Sequence, residues 1–131
     1  MAAKARTFLM FEGKAEEALS FYISTIPDSH IVDIVRYGAE QPGKAGTVML
    51  ARAVIAGQEV LATDSPVHHD FTFTPAISFF VDCSSAGEVD QLATALAEGG
   101  QFLMPLDNYA FSKRFAWVND RFGVSWQINL P

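Results

Sequence analysis

RTFLMFEGKAEEALSFYISTIPD, Arg6 to Asp28, contains the change of period that decides the fold. Arg6 to Phe11 is a short apolar run with the character of a buried strand, and Glu12-Gly13 ends it. From there Ala15, Ala18, Leu19, Tyr22 and Ile26 recur every three or four positions, which gives a helix one apolar stripe. Glu16 and Glu17 fall in its first turn, where the helix dipole favours negative charge, and Pro27-Asp28 stops it. The same unit returns 70 residues later, with Val81-Asp82 and Val89 standing where Phe11-Glu12 and Leu19 stand.

The rest of the chain fills in around these two units. His30 to Tyr37 is rich in β-branched residues, GAEQPGKAG is a loop by its Gly and Pro content, and Val48 to Ile55 and Gln58 to Thr63 flank the two-residue turn Ala56-Gly57. In the second half Ala76 to Asp82 reads as a strand. Gly87 to Glu98 reads as a helix ended by Gly99-Gly100, and Gln101 to Met104, Arg114 to Asn119 and Gly123 to Leu130 supply three more strands. Both halves therefore read β-α-β-β-β, a repeat of pattern without sequence identity. Gly57 matches Gly123 at an offset of 66, so the second half is four residues shorter in its middle. The fold class is α+β. One domain, 1–131, is expected to hold module one at about 5–64, a connector at 65–75 and module two at about 76–131.

Composition narrows the function. A chain of 131 residues, half of them hydrophobic, has enough apolar material for a substantial core. A formal charge of −6 with nine Lys and Arg would repel phosphate backbones, so nucleic acid is not an expected partner. No apolar run approaches the roughly 20 residues that span a bilayer, and MAAKART lacks a signal-peptide core, which points to a cytoplasmic protein without membrane contact. Cys83 is the only cysteine, so an intrachain disulfide and a cysteine-based zinc cage are both excluded; its default role is a buried inert thiol.

The ordered set FLMFEGKAEEALSFY, RYGAEQPGKAG, HHDFTFTPAISFFVDC and GGQFLMPLDNYAFSKRFAWVNDRFGVSWQINLP resembles the PhnB-like branch of the vicinal oxygen chelate superfamily. That superfamily includes glyoxalase I, extradiol dioxygenases and bleomycin-resistance proteins. The resemblance covers essentially the whole chain, and DRFGVSWQINL and FTFTPAIS are specific to the branch. It implies two paired modules whose curved sheets, of glyoxalase/bleomycin-resistance type, enclose a cavity. It also implies a homodimer, and in metal-dependent members an ion held by His and Glu on the first, fourth, fifth and eighth strands. Carried over by register, those positions fall at Thr7, near Val60 to Ala62, at Ala76 and at Gln127. A threonine, an aliphatic, an alanine and an amide do not make a transition-metal site, so no metal and no other cofactor is expected. Members of the branch are often labelled demethylubiquinone methyltransferase domains. Methyl transfer from S-adenosylmethionine usually needs a glycine-rich turn, and FLMFEGKAEE has one glycine there, which disfavours that activity.

The remaining candidates follow from alternation along strands. In the last strand Ser125, Gln127 and Asn129 share one face and Trp126, Ile128 and Leu130 the other. Gln127 is the foremost candidate for ligand contact, joined by Ser78 and Phe80 on the neighbouring strand, with Trp117 and Tyr109 as aromatic caps. Asp107 to Ala110 reads as a loop that could serve as a lid. Asp64 and His69 are the acid and imidazole placed to act as an acid/base dyad. The connector around His68-His69 otherwise needs no special role, since adjacent residues on an extended chain point opposite ways. The leading expectation is metal-independent binding of a small apolar or aromatic molecule between the modules. The alternatives are an enzyme using Asp64 and His69, or a metal-dependent lyase or dioxygenase of the glyoxalase type.

Overall fold

A computed structural model describes residues 3–131. The chain forms two compact units that divide between Asp70 and Phe71, inside the expected connector. The first carries β1 (Thr7–Phe11), α1 (Ala15–Thr25), β2 (His30–Arg36), β3 (Val48–Ile55) and β4 (Gln58–Asp64) in a sheet of order β1-β4-β3-β2. β1 and β4 are parallel, and the other pairs are antiparallel. Leu9 and Phe11 are buried with Ala51, Ala53, Ile55, Val60 and Ala62 on one side, together with Ala15, Ala18, Leu19 and Tyr22 of the helical stripe, as the period of 2 against 3.6 requires. Ala56 and Gly57, at φ 49° and 83°, make the tight turn that joins β3 to β4.

The second unit repeats the plan with β5 (Phe79–Asp82), α2 (Ala86–Ala97), β6 (Gln101–Tyr109), β7 (Ser112–Asn119) and β8 (Ser125–Leu130), ordered β5-β8-β7-β6. Trp126, Ile128, Ala116 and Val118 are buried with Val89, Leu92, Ala93 and Leu96 of α2. Phe79 stacks on Trp126, ring centroids 4.7 Å apart. Ser85 caps α2 by accepting the Glu88 N–H at 3.1 Å while Glu88 accepts the Ser84 N–H at 3.0 Å, a variant of the reciprocal box. Gly99, at φ 78°, follows the helix end, and a side chain on Gly100 would run into the Asn119 carbonyl at 2.0 Å.

Two boundaries differ from the sequence reading. β5 starts at Phe79, not Ala76, because Pro75 and Ala76 turn the chain just before it. The expected lid at Asp107 to Ala110 is mostly strand: β6 runs on to Tyr109 and turns into β7 at Ala110-Phe111. Pro105 does not stop β6 because an edge strand tolerates a missing N–H, and the β6–β7 register shifts three times to absorb it. The two parallel pairs also differ. Leu9 pairs with Ala62, whereas the matching Phe79 pairs with Trp126, the counterpart of Val60 by the hairpin offset. A slip of two residues keeps every side chain on its original face.

Candidate functional site

The face of the second sheet turned away from α2 collects the residues that alternation singled out. Phe80, Gln127 and Trp117 stand level across β5, β8 and β7, with Met104 of β6 completing the row. Ser78 lies just before β5, with its Oγ 2.7 Å from that of Ser125. Trp117 donates its indole N–H to Ser125 at 2.9 Å, and Gln127 donates an amide N–H to Ser78 at 3.3 Å. The two hydroxyls thus tie three strands' side chains into one network. Next along the sheet, Asp82, Asn129, Phe115 and Asp107 form a second row, in which Asn129 donates to Asp82 at 2.9 Å.

Aromatic rings gather around Phe115. Phe111 and Tyr109 meet it edge-on at 5.0 and 5.8 Å, Tyr109 stacks on Phe111 at 5.6 Å, and Phe80 is tilted to Phe115 at 6.3 Å. The Tyr109 hydroxyl donates to the Pro105 carbonyl at 2.7 Å, which fixes the ring over the hairpin. Phe80 and Phe111 remain 55% and 65% exposed, so their faces are available to a ligand. All five expected contact residues therefore share one face. Sequence reasoning put Ser125 on this face without naming it as a contact, and it missed Phe115 and Phe111. The parity of Phe115 with Trp117 was the signal for the first, whereas Phe111 depends on a hairpin that the sequence reading left as loop.

Asp64 and His69 have other partners. The Asp64 carboxylate is buried and accepts the N–H groups of Gly13 at 2.8 Å, Ala15 at 3.0 Å and Val48 at 2.9 Å. It joins β4 to the start of α1, which has no cap of its own at Lys14, and to the start of β3. His69 Nε2 lies 2.9 Å from Ser65 Oγ, and the His69 backbone N–H is directed to Glu12. In these contacts the acid holds backbone and the imidazole orders the connector, uses other than those of the acid/base dyad. Glu12 also meets His68 Nδ1 at 2.8 Å, and this hydrogen bond holds its carboxyl below the usual range.

Three arginines are held by acids of the fold. Arg36 pairs with Glu16 through two hydrogen bonds, Arg52 with Asp33, and Arg114 with Asp90 of α2 at 2.7 Å. The Cys83 thiol is buried, and desolvation together with Glu88 pushes its pKa up to about 12. It is no nucleophile at neutral pH.

The positions that the resemblance assigns to a metal also shift. Val60 and Ala62 are buried on the α1 side with Leu9, and Thr7 shares their parity, so the face away from α1 carries Phe8 level with Leu61. In the second unit Ala76 lies in the turn before β5, and the residue level with Gln127 is Phe80. Two phenylalanines, a leucine and an amide contain no imidazole or carboxylate, so this donor set does not fit a transition metal. Among the described residues no group of three His, Cys, Asp or Glu is placed to share an ion.

The family model described as 3-demethylubiquinone-9 3-methyltransferase matches residues 3–129. The PhnB protein of Bacillus cereus, described as a candidate 3-demethylubiquinone-9 3-methyltransferase, is 53% identical over 98% of this chain and 100% of its own, with a TM-score of 0.94. Protein PA1353 of Pseudomonas aeruginosa is 28% identical over 98% of each chain, with a TM-score of 0.84. A glyoxylase/bleomycin resistance protein/dioxygenase domain from Frankia sp. EAN1pec shares the fold at 17% identity and a TM-score of 0.63, over 99% of this chain and 98% of its own. No curated protein matches the chain. With its two β-α-β-β-β units and these likenesses, the chain shares the fold of the glyoxylase/bleomycin resistance protein/dioxygenase domain, and it belongs to the 3-demethylubiquinone-9 3-methyltransferase family, in which it is similar to PhnB.

Proposed function

We propose that the protein binds a small apolar or aromatic molecule, without a metal, on the face of the second sheet turned away from α2. The observation that carries this reading is the Trp117–Ser125–Ser78–Gln127 network set beside the Phe80, Phe111, Phe115 and Tyr109 rings. A few fixed polar groups in an aromatic surround suit recognition of a small organic ligand. The Asp64 and His69 contacts favour no acid/base chemistry.

Methyl transfer is the activity in the family's description, and the residues present do not fit S-adenosylmethionine. The β1–α1 turn has the single glycine Gly13, and Asp64 already takes the Gly13 and Ala15 amides at the mouth of α1. An anionic carboxylate thus stands where such a cofactor would approach.

A fragment screen followed by Trp117→Phe tests the binding reading. Aromatic fragments are expected to bind the wild type and to lose affinity in the variant, whose fold is checked by the circular dichroism of the wild type. Fragments that bind equally well to both, or a wild type that binds none of them, would sink it.

A further inference from the structure

The proton order of the Trp117–Ser125–Ser78–Gln127 network determines what it offers a ligand; this step rests on the binding reading above. An indole nitrogen only donates, so Trp117 gives its N–H to Ser125 Oγ at 2.9 Å and takes nothing back. Ser125 is 2% exposed and must place its own hydroxyl proton inside the protein. The acceptor within reach is Ser78 Oγ at 2.7 Å, an ordinary separation for two hydroxyls. The amide oxygen of Asn119, level with Ser125 across the ladder, meets no donor, so it does not take that proton. Ser125 therefore donates to Ser78.

Ser78 is thereby filled on its acceptor side. Its oxygen takes the Ser125 hydroxyl and the Gln127 amide N–H at 3.3 Å, which uses both lone pairs. Its own proton meets no acceptor among the described residues. The two bonds it accepts polarise the hydroxyl and make it a stronger donor. Ser78 is half-buried, and its contacts put it on the same face as the exposed ring of Phe80, two residues on. The Gln127 amide adds a second N–H and its Oε1, both unused, so the open end of the network carries two donors and one acceptor. Gln127, with one of each, suits either kind of partner. Ser78 only gives, and a molecule that covers it without bringing an acceptor strands that donor.

We infer that the ligand is an aromatic molecule with a carbonyl group on the ring, and that Ser78 is the residue that selects for it. The carbonyl oxygen accepts from the Ser78 hydroxyl and from the unused Gln127 N–H, one on each lone pair, while the ring lies over Phe80. Two residues of a strand span roughly 7 Å. A hydrogen bond of about 2.8 Å and the reach of a carbonyl across its attached ring together cover that distance.

The chain has two tryptophans, which gives the test an internal reference. In nitrogen-15 spectra of the full chain, the Trp117 indole N–H reports the site. That of Trp126, bonded to Asp120 at 2.9 Å, reports the intact core. The probes are acetophenone and ethylbenzene, which match in shape and differ in the carbonyl oxygen. Acetophenone is expected to move the Trp117 signal at a concentration about tenfold lower than ethylbenzene. Ser78→Ala should remove most of that preference and leave the Trp126 signal in place. In isotope-edited infrared spectra, the carbonyl stretch of acetophenone bound to the wild type should lie below its position in cyclohexane and move back toward it in the variant. Equal affinity of the two probes for the wild type, a preference undiminished in Ser78→Ala, or a bound carbonyl that absorbs as in cyclohexane overturns the carbonyl assignment and leaves the binding reading standing. A Trp117 signal that moves with neither probe overturns both.

Discussion

Replacing Asp64 by alanine removes the acceptor of three backbone N–H groups at once, those of Gly13, Ala15 and Val48. The bonds to Ala15 and Val48 are buried, and the bond to Gly13 is part-buried. Each buried N–H left without a partner costs about 1–3 kcal/mol, so the two buried ones should cost the variant about 2–6 kcal/mol, to which the part-buried Gly13 adds less. That is a large part of the 5–15 kcal/mol typical of a folded domain. Asp64→Asn is milder. Its amide oxygen can keep Gly13 and Ala15, while its NH2 group confronts the Val48 N–H, at about 2–3 kcal/mol. Urea unfolding followed by far-ultraviolet circular dichroism gives both values from the shift in midpoint at constant slope. Glu12→Gln, which alters only exposed contacts to the connector, serves as control and should stay within about 0.5 kcal/mol. An alanine variant within about 1 kcal/mol of wild type would refute the assignment of Asp64 to backbone support, and would reopen a chemical role for it.

Three further outcomes follow from the same geometry. Cys83 should resist thiol reagents at pH 8 in the native protein and react fully in denaturant, since burial and Glu88 push its pKa up to about 12; native labelling within minutes would contradict this. The Glu12 carboxyl is held below its usual value of 4.5 by His68, so the folded state binds fewer protons there than the unfolded chain. The contribution is present above that pH and fades as pH falls below it, and a Glu12→Gln variant should show a shallower loss of stability between pH 5 and pH 3. We also propose pairing with a second copy through exposed apolar side chains such as Val32 and Val35 of the edge strand β2, which predicts a sedimenting mass of twice 14.3 kDa at micromolar concentration; a mass of 14.3 kDa alone would reject it.

What was legible in the sequence is what periodicity controls. The change from strand to helix at Glu12-Gly13 and its return at Asp82-Cys83 gave the repeated plan, and alternation in the last strand put Gln127 and Ser125 on one face and Trp126 on the other. Pairing between distant strands was not legible. The slip of two residues between the parallel pairs moved the level partner of Gln127 from Ser78 to Phe80, and nothing in either strand alone encodes that register. The contacts of Asp64 were illegible for a related reason. An acid at a strand end near an imidazole has the composition of a catalytic pair, and only the tertiary fold shows that its oxygens meet amides from residues 13, 15 and 48. Tyr109 was assigned to a lid loop because Pro105 was given more weight than an edge strand gives it.

The two strand-to-helix junctions meet the same need differently, and this difference can be tested by substitution. α2 starts with Ser85 and Glu88, a cap written in its own sequence, and the core position at the end of β8 opposite Val81 is the apolar Ile128. α1 starts at Lys14 without a side-chain cap, and the position opposite Phe11 is Asp64. Glu17 already stands three residues after Lys14, so Lys14→Ser would complete a capping box there. Such a cap takes the amides of residues 16 or 17, which Asp64 does not use, so its effect should add to that of Asp64→Asn. The expected gain is about 1 kcal/mol in either background. The Lys14–Glu17 ion pair lost is exposed, with its charges 3.7 Å apart, and is worth little. The backbone at Lys14, at φ −111° and ψ 7°, must move toward the extended conformation of a capping residue. A loss of stability in Lys14→Ser would show that Asp64, by gripping the amides on both sides of residue 14, prevents that movement; in that case the same substitution should become stabilising only once Asp64 is removed.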